Sequence, residues 1–188
     1  SPTLLARVLR FYDDASASSR VPHVTATKSR VHVYPDAELE KLLDNKLSRS
    51  LFPEVRKAFG HAVRCRELYK ICGYSSESNG RFHAHRDTPA PYQHRKLAMT
   101  LCLNDDYEGG ELVLPEYGLV LRPPANAAVV FPGICSHMVR PVQRGCRRVV
   151  ITFFCGEIDG KTKGCPQYAV KSDYFEKRRL CFSSIYPL

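Results

Sequence analysis

The chain has 188 residues, 44% hydrophobic and 25% charged, a length and balance that fit one folded domain and exclude disordered, collagen-like and coiled-coil chains. Lysine and arginine number 28 against 19 acidic residues, a formal net charge of +9; ten basic and four acidic residues from Arg140 onward supply +6 of it. That excess favours anionic ligands without naming one, and the longest nearly apolar stretch, 127–135, falls far short of the roughly 20 residues a membrane helix needs.

Leu4, Leu5, Val8, Leu9, Phe11 and Tyr12 recur at helical spacing and predict a first helix, ending in a small polar loop over 15–19. Val31 and Val33 alternate with polar neighbours as a short strand. Asp36 then caps a helix with an apolar face of Leu39, Leu42, Leu43 and Leu47. Pro53 suits the first turn of another helix and Gly60 its C-terminal cap, with Val55 and Phe59 predicted on the buried side. From residue 67 the pattern changes to short β-prone runs at 68–74, 81–87, 96–103, 111–114, 119–121, 127–131 and 148–154, separated by turn residues. Serial strands of this kind predict an antiparallel sandwich or jelly roll with the helices outside it.

Eight cysteines stand singly at 65, 72, 102, 135, 146, 155, 165 and 181, with no pair at the short spacing of a zinc site. Buried, reduced thiols and a cytoplasmic location are expected. The chain begins with Ser1 rather than methionine, so a leader or another domain ahead of it is compatible with the sequence.

On a strand, side chains at i and i+2 share a face, so His85-Arg86-Asp87 presents an imidazole and a carboxylate together. His83 lies on that face too, and is expected to be a solvent-facing or hydrogen-bonded histidine. His137 follows the apolar run ending Val129-Val130-Phe131-Pro132, where a neighbouring strand would bring it beside the first pair. Two imidazoles and one carboxylate make the facial triad of non-haem Fe(II) oxygenases, which leaves three positions open for a cosubstrate and oxygen. A dicarboxylate cosubstrate needs a cation at its far end, and Arg147 or Arg148 can supply the planar fork. Alternation groups Arg147 with Val149, Ile151 and Phe153, and Arg148 with Val150 and Thr152, so one of the two faces the cavity.

Together these residues resemble the 2-oxoglutarate and Fe(II)-dependent oxygenases, in the prolyl 4-hydroxylase-like branch. Tyr74, Gly80, Phe82, His85 and Asp87 match the family's first segment, Leu103-Asn104-Asp105 and Gly109-Gly110-Glu111 its middle, and His137, Pro141, Val142, Gly145 and Arg147 its distal part. The match covers about 67–156 and favours Arg147 over Arg148. Asn126 replaces a common glycine but can take the left-handed conformation that the hairpin needs. Cys102 stands where some relatives carry a tyrosine, so Thr100 on the same face, or Tyr74, is the expected hydroxyl beside Arg147.

The resemblance implies a mainly β (α+β) fold: a double-stranded β-helix, or jelly-roll, core with two or three N-terminal helices on the outside. One domain would span 1–188, divided into a helical support region (1–66), a catalytic region (67–156) and a C-terminal extension (157–188). It implies Fe(II) held by His85, Asp87 and His137, 2-oxoglutarate held by Arg147, molecular oxygen as the oxidant and ascorbate as a reductant. It also implies hydroxylation of a prolyl or other residue in a peptide or protein. Hydroxylation of a free amino acid or natural product is the alternative; nucleic-acid demethylation and a non-catalytic binding module rank lower. The intact Asp87 argues against halogenating relatives, in which a small residue makes room for chloride.

Overall fold

The computed structural model describes residues 2–18, 23–25, 27–155 and 170–171. Helix α1 (Pro2–Ser18) buries Val8 and Tyr12, one turn apart, and rests Leu4, Leu5, Leu9 and Phe11 against the same core. The polar loop expected over 15–19 remains helical as far as Ser18. The Ser16 hydroxyl donates to the Asp13 carbonyl at 3.2 Å, a local bond that a helix accommodates at little cost. Asp36 caps α2 (Ala37–Ser50) by accepting from the Leu39 N–H at 2.8 Å, and Leu39, Leu43 and Leu47 form its buried stripe. Helix α3 (Phe52–Phe59) has Pro53 in its first turn and ends at Gly60 with φ 63°. Phe59 is 41% exposed, contrary to the expected burial. It is the helix's last residue, and Phe52 and Val55 occupy the core face instead.

The strands are β1 (His23–Val24), β2 (Lys28–Val33), β3 (Cys65–Arg66), β4 (Lys70–Ser75), β5 (Arg81–His85), β6 (Arg95–Cys102) and β7 (Glu108–Gly109). They continue as β8 (Leu112–Leu114), β9 (Leu119–Leu121), β10 (Ala128–Pro132), β11 (His137–Val139), β12 (Val142–Arg144), β13 (Cys146–Cys155) and β14 (Val170–Lys171). The principal order is β10-β6-β13-β4-β2-β5-β11-β8-β9, antiparallel throughout, with β7 and β12 as a separate ribbon. Strand β2 pairs with β4 on one side and β5 on the other, so it joins the two halves of the rolled sheet. This is a double-stranded β-helix with three helices outside it.

Alternation along the strands separates two cores. Ile71, Leu97, Met99, Leu101, Val150 and Phe154 face the helices. Cys72, Tyr74, Cys102, Tyr107, Val149 and, further along, Ala98, Phe131 and Phe153 face the inside of the roll. The sides chosen by β13 therefore decide which residues reach the interior.

Of the C-terminal extension expected over 157–188, all but Val170–Lys171, which pair with β3, lies outside the described residues. The six described cysteines are free thiols, four of them buried; Cys165 and Cys181 fall outside the described residues. No helix among the described residues is long and apolar enough to cross a membrane.

Candidate active site

His137 opens strand β11, and its antiparallel register places it directly opposite His85 on β5, with ring centroids 4.2 Å apart. Asp87, two residues past His85, donates its backbone N–H to the Gly133 carbonyl at 2.9 Å, which ties it to the turn ahead of β11. Ligand atoms of His85, Asp87 and His137 consequently lie within 4.8 Å of one another. His85 Nε2 is 3.6 Å from Asp87 Oδ1, and His137 Nε2 is 3.4 Å from Asp87 Oδ2.

The opposite ring nitrogens are held by the backbone. His85 Nδ1 lies 2.8 Å from the His83 carbonyl and His137 Nδ1 3.1 Å from the Cys135 carbonyl. A carbonyl only accepts, so each Nδ1 carries the proton, and a neutral ring then directs an Nε2 lone pair at the shared centre. Burial, followed by the nearby His137, pushes the His85 imidazole down to about 4, which keeps it in the neutral form that binds a metal. Burial also raises the Asp87 carboxyl, against an opposing pull from His137. Asp87 is 8% exposed and only the two imidazoles approach its oxygens among the described residues, so a divalent cation would offset a charge that is otherwise costly there. The donor set fits Fe(II).

Arg147 is 2% exposed and faces the interior, opposite Tyr74 in the β13–β4 register. Its guanidinium lies over the Tyr74 ring at 5.5 Å and hydrogen-bonds Tyr107, and it meets no carboxylate among the described residues. A buried guanidinium without an anion fits a ligand carboxylate. Arg148 points outward, where its Nη2 is 3.3 Å from Asp13 Oδ1, so of the two arginines Arg147 is the one that faces the cavity. Asn104 brackets Arg147: its amide donates to the Cys146 carbonyl and accepts from the Arg148 N–H, both at 2.7 Å. Gly110, at φ 66°, leaves room for the arginine, since a Cβ there would sit 3.2 Å from Arg147 Cδ.

The sequence profile of the 2OG-Fe(II) oxygenase superfamily matches residues 69–156, the stretch that carries all four of these side chains. Over these residues the chain is similar to the 2OG-Fe(II) oxygenase superfamily. Proteins of that superfamily act with Fe(II), 2-oxoglutarate and molecular oxygen. A PKHD-type hydroxylase of Paraburkholderia phymatum is 44% identical over 62 residues, covering 31% of this chain and 26% of that protein. Another, from a Synechococcus strain, is 34% identical over 117 residues, covering 60% and 48%. The chain thus spans about a quarter and about half the length of these curated relatives. Among solved structures, a Pseudomonas putida prolyl-4-hydroxylase superposes with TM-score 0.69 at 17% identity, covering 84% of this chain and 89% of that one. A Trichoplax adhaerens prolyl hydroxylase, bound to a hypoxia inducible factor peptide fragment, gives 0.63 at 16%, covering 81% and 78%. These two likenesses establish the shared fold.

The other side chains around the cavity divide clearly. Tyr74 is buried beside Arg147, and its hydroxyl accepts from Arg30 Nη1 at 3.1 Å. Thr100 is also inside, opposite Ile151 on the face shared with Cys102 and Arg147. His83 is exposed, although simple alternation put it with His85. The pairing shifts between Phe82 and His85 relative to β11, and this irregularity breaks the two-residue period. It also stacks Phe82 on His85, with ring centroids 3.7 Å apart. His94 turns inward and meets the buried Glu67 at 2.9 Å. Arg86 ties Glu116 and the Ile134 carbonyl together outside the cavity. Arg140 is exposed and Arg144 pairs with Glu108 at the surface.

Sequence reasoning missed Arg30 and Tyr107. Tyr107 sits in the loop between β6 and β7, where no periodicity reports burial. Arg30 lies on a short strand whose partners, β4 and β5, are more than 35 residues away in the chain. An arginine directly ahead of the Val31–Val33 alternation was the available signal.

Proposed function

We propose that the protein is a prolyl 4-hydroxylase-like dioxygenase that hydroxylates an unactivated C–H bond of a prolyl or other residue in a peptide or protein. Residues 1–188 act as one catalytic domain, with 67–156 carrying the site. The observation that supports this most strongly is the placement of two imidazoles, one carboxylate and a buried guanidinium without an ion-pair partner among the described residues in one cavity, within the stretch that matches the superfamily.

In this reading His85, Asp87 and His137 hold Fe(II). Bound iron supplies oxygen activation coupled to oxidative decarboxylation of 2-oxoglutarate to succinate, with ascorbate as an auxiliary reductant. The chain's own residues position and insulate. The His83 and Cys135 carbonyls hold each Nδ1–H, which turns both Nε2 atoms toward the shared centre. Arg147 would receive the distal carboxylate of 2-oxoglutarate, and Tyr74 and Thr100 offer hydroxyls on the same wall. Phe82, stacked on His85, and Phe131, 4.7 Å edge-on from His137, keep water from the ligand rings. Asp87 retains its carboxylate, which supports hydroxylation over halogenation.

The peptide-bound Trichoplax neighbour supports a residue in a peptide as the target. The test is succinate formation with Fe(II), 2-oxoglutarate and a panel of proline-containing peptides and free amino acids. Strong stimulation by a peptide, with a mass gain of one oxygen, is expected; stimulation by free amino acids alone would replace the peptide reading with the small-molecule one.

A further inference from the structure

Arg147 is not the only buried cation in the cavity. Arg30, 9% exposed, occupies β2 on the other side of Tyr74, donating Nη1 to the tyrosine hydroxyl at 3.1 Å while its Nε has no hydrogen-bond partner. Lys28 shares its face two residues earlier and is partly buried. Both cations lie over the Phe82 ring, Lys28 Nζ at 5.8 Å and Arg30 Cζ at 5.3 Å from the centroid, and Phe82 in turn stacks on His85. Neither makes an ion pair among the described residues. Burial and the adjacent Arg30 charge hold the Lys28 ammonium below its ordinary range, as expected of two like charges brought together with no anion between them.

The carboxylate whose charge reaches Arg30 is that of Asp87, which the metal claims in the reading above; two converging cations with no ion pair of their own cost folding free energy, and a bound anion offsets that cost. The cosubstrate does not supply this anion. On the reading proposed above, one of its carboxylates goes to the metal and the other to Arg147, and both are then accounted for. We propose that Lys28 and Arg30 form a carboxylate-binding subsite beside the metal centre, so that the oxidised group belongs to a substrate that itself carries a carboxylate. Arg30 provides the directional fork and Lys28 the mobile point charge. The carboxylate is either the α-carboxylate of a free amino acid or chain terminus, or an acidic side chain next to the target residue.

Two matched pairs of probes distinguish these sources: N-acetyl-L-proline against N-acetyl-L-prolinamide, and N-acetyl-Pro-Glu-amide against N-acetyl-Pro-Gln-amide. Binding is measured by calorimetry on the full chain with 2-oxoglutarate and Mn(II) in place of Fe(II), so that no turnover intervenes. In wild type, the acid of at least one pair is expected to bind about ten- to a hundredfold more tightly than its neutral partner, the loss typical of a charge-assisted hydrogen bond. Arg30→Gln should reduce that ratio to near one, and Arg30→Lys should restore part of it. Lys28→Gln, on the more accessible side chain, should reduce the ratio several-fold even where Arg30→Gln does not fold. Equal binding within both pairs, or an acid preference untouched by Arg30→Gln and Lys28→Gln, would overturn the proposal. So would an Arg30→Gln variant that keeps the preference and instead needs more 2-oxoglutarate to saturate. The metal reading is checked separately by the visible band of the anaerobic Fe(II)–2-oxoglutarate complex in wild type, whose absence would leave an observed acid preference standing.

Discussion

Arg147→Met should make the protein more stable and unable to bind 2-oxoglutarate, two effects of opposite sign from one substitution. Arg147 is 2% exposed and has no carboxylate partner among the described residues, so its charge is desolvated at a cost of several kcal/mol. Its compensation is a Tyr107 hydrogen bond, about 1.5–3 kcal/mol, and the Tyr74 ring at 5.5 Å, about 1 kcal/mol. Methionine keeps most of the apolar packing and removes the charge, so a gain of about 1–3 kcal/mol is expected without ligand. Thermal denaturation with Mn(II) checks this, each kcal/mol being about 2–4 °C in a chain of this size. Adding 2-oxoglutarate at a hundredfold excess over its Kd should stabilise wild type by about 2.7 kcal/mol and leave the variant unmoved. A variant less stable than wild type without ligand, or one that keeps the ligand-induced rise, would refute the assignment of Arg147 as an anion anchor.

Asp87→Gly should abolish hydroxylation and weaken Fe(II) binding by more than about a hundredfold, beyond the range for losing an outer hydrogen-bond partner; substantial hydroxylation by the purified variant would remove Asp87 from the ligand set. Asn104→Ala leaves the Cys146 carbonyl and the Arg148 N–H unpaired around Arg147, so a loss of about 2 kcal/mol in stability is expected. It should also weaken 2-oxoglutarate binding at unchanged Mn(II) affinity, as read by parallel titrations. Burial alone would raise the Glu67 carboxyl, but the Arg95 hydrogen bonds and charge, with His94 behind them, hold it below the ordinary 4.5. A depressed value in the folded state gives stability that is present above about pH 4.5 and lost as pH falls through the lower folded value. Glu67→Gln should therefore cost about 3 kcal/mol at pH 7 and much less near pH 3 in urea denaturation.

The nearness of His85, Asp87 and His137 and the inward side of Arg147 were legible in the sequence because residue types suited to one chemistry stand at short spacing, and alternation holds along β13 even though β5 is irregular ahead of His85. The seven β-prone runs from residue 68 onward all became strands, since each alternates or runs apolar between turn residues. The short strand His137–Val139 was not legible, because three residues carry no period; only its pairing with β5 and β8 reveals it. His83 is solvent-facing and hydrogen-bonded as expected, whereas the stacking of Phe82 on His85 arises at an irregularity that sequence alternation cannot report. Phe59 looked buried because spacing alone ignores where a helix stops. Arg30 was invisible for a different reason. Its burial comes from β4 and β5 closing around β2, a contact between distant parts of the chain rather than a property of its neighbours.

The most direct test of the central claim is anaerobic addition of Fe(II) and then 2-oxoglutarate to the purified protein, with His137→Ala as control. A visible charge-transfer band in wild type that is lost in the variant is the predicted result. A well-folded wild type that gives no band would contradict the assignment of His85, Asp87 and His137 as an iron site.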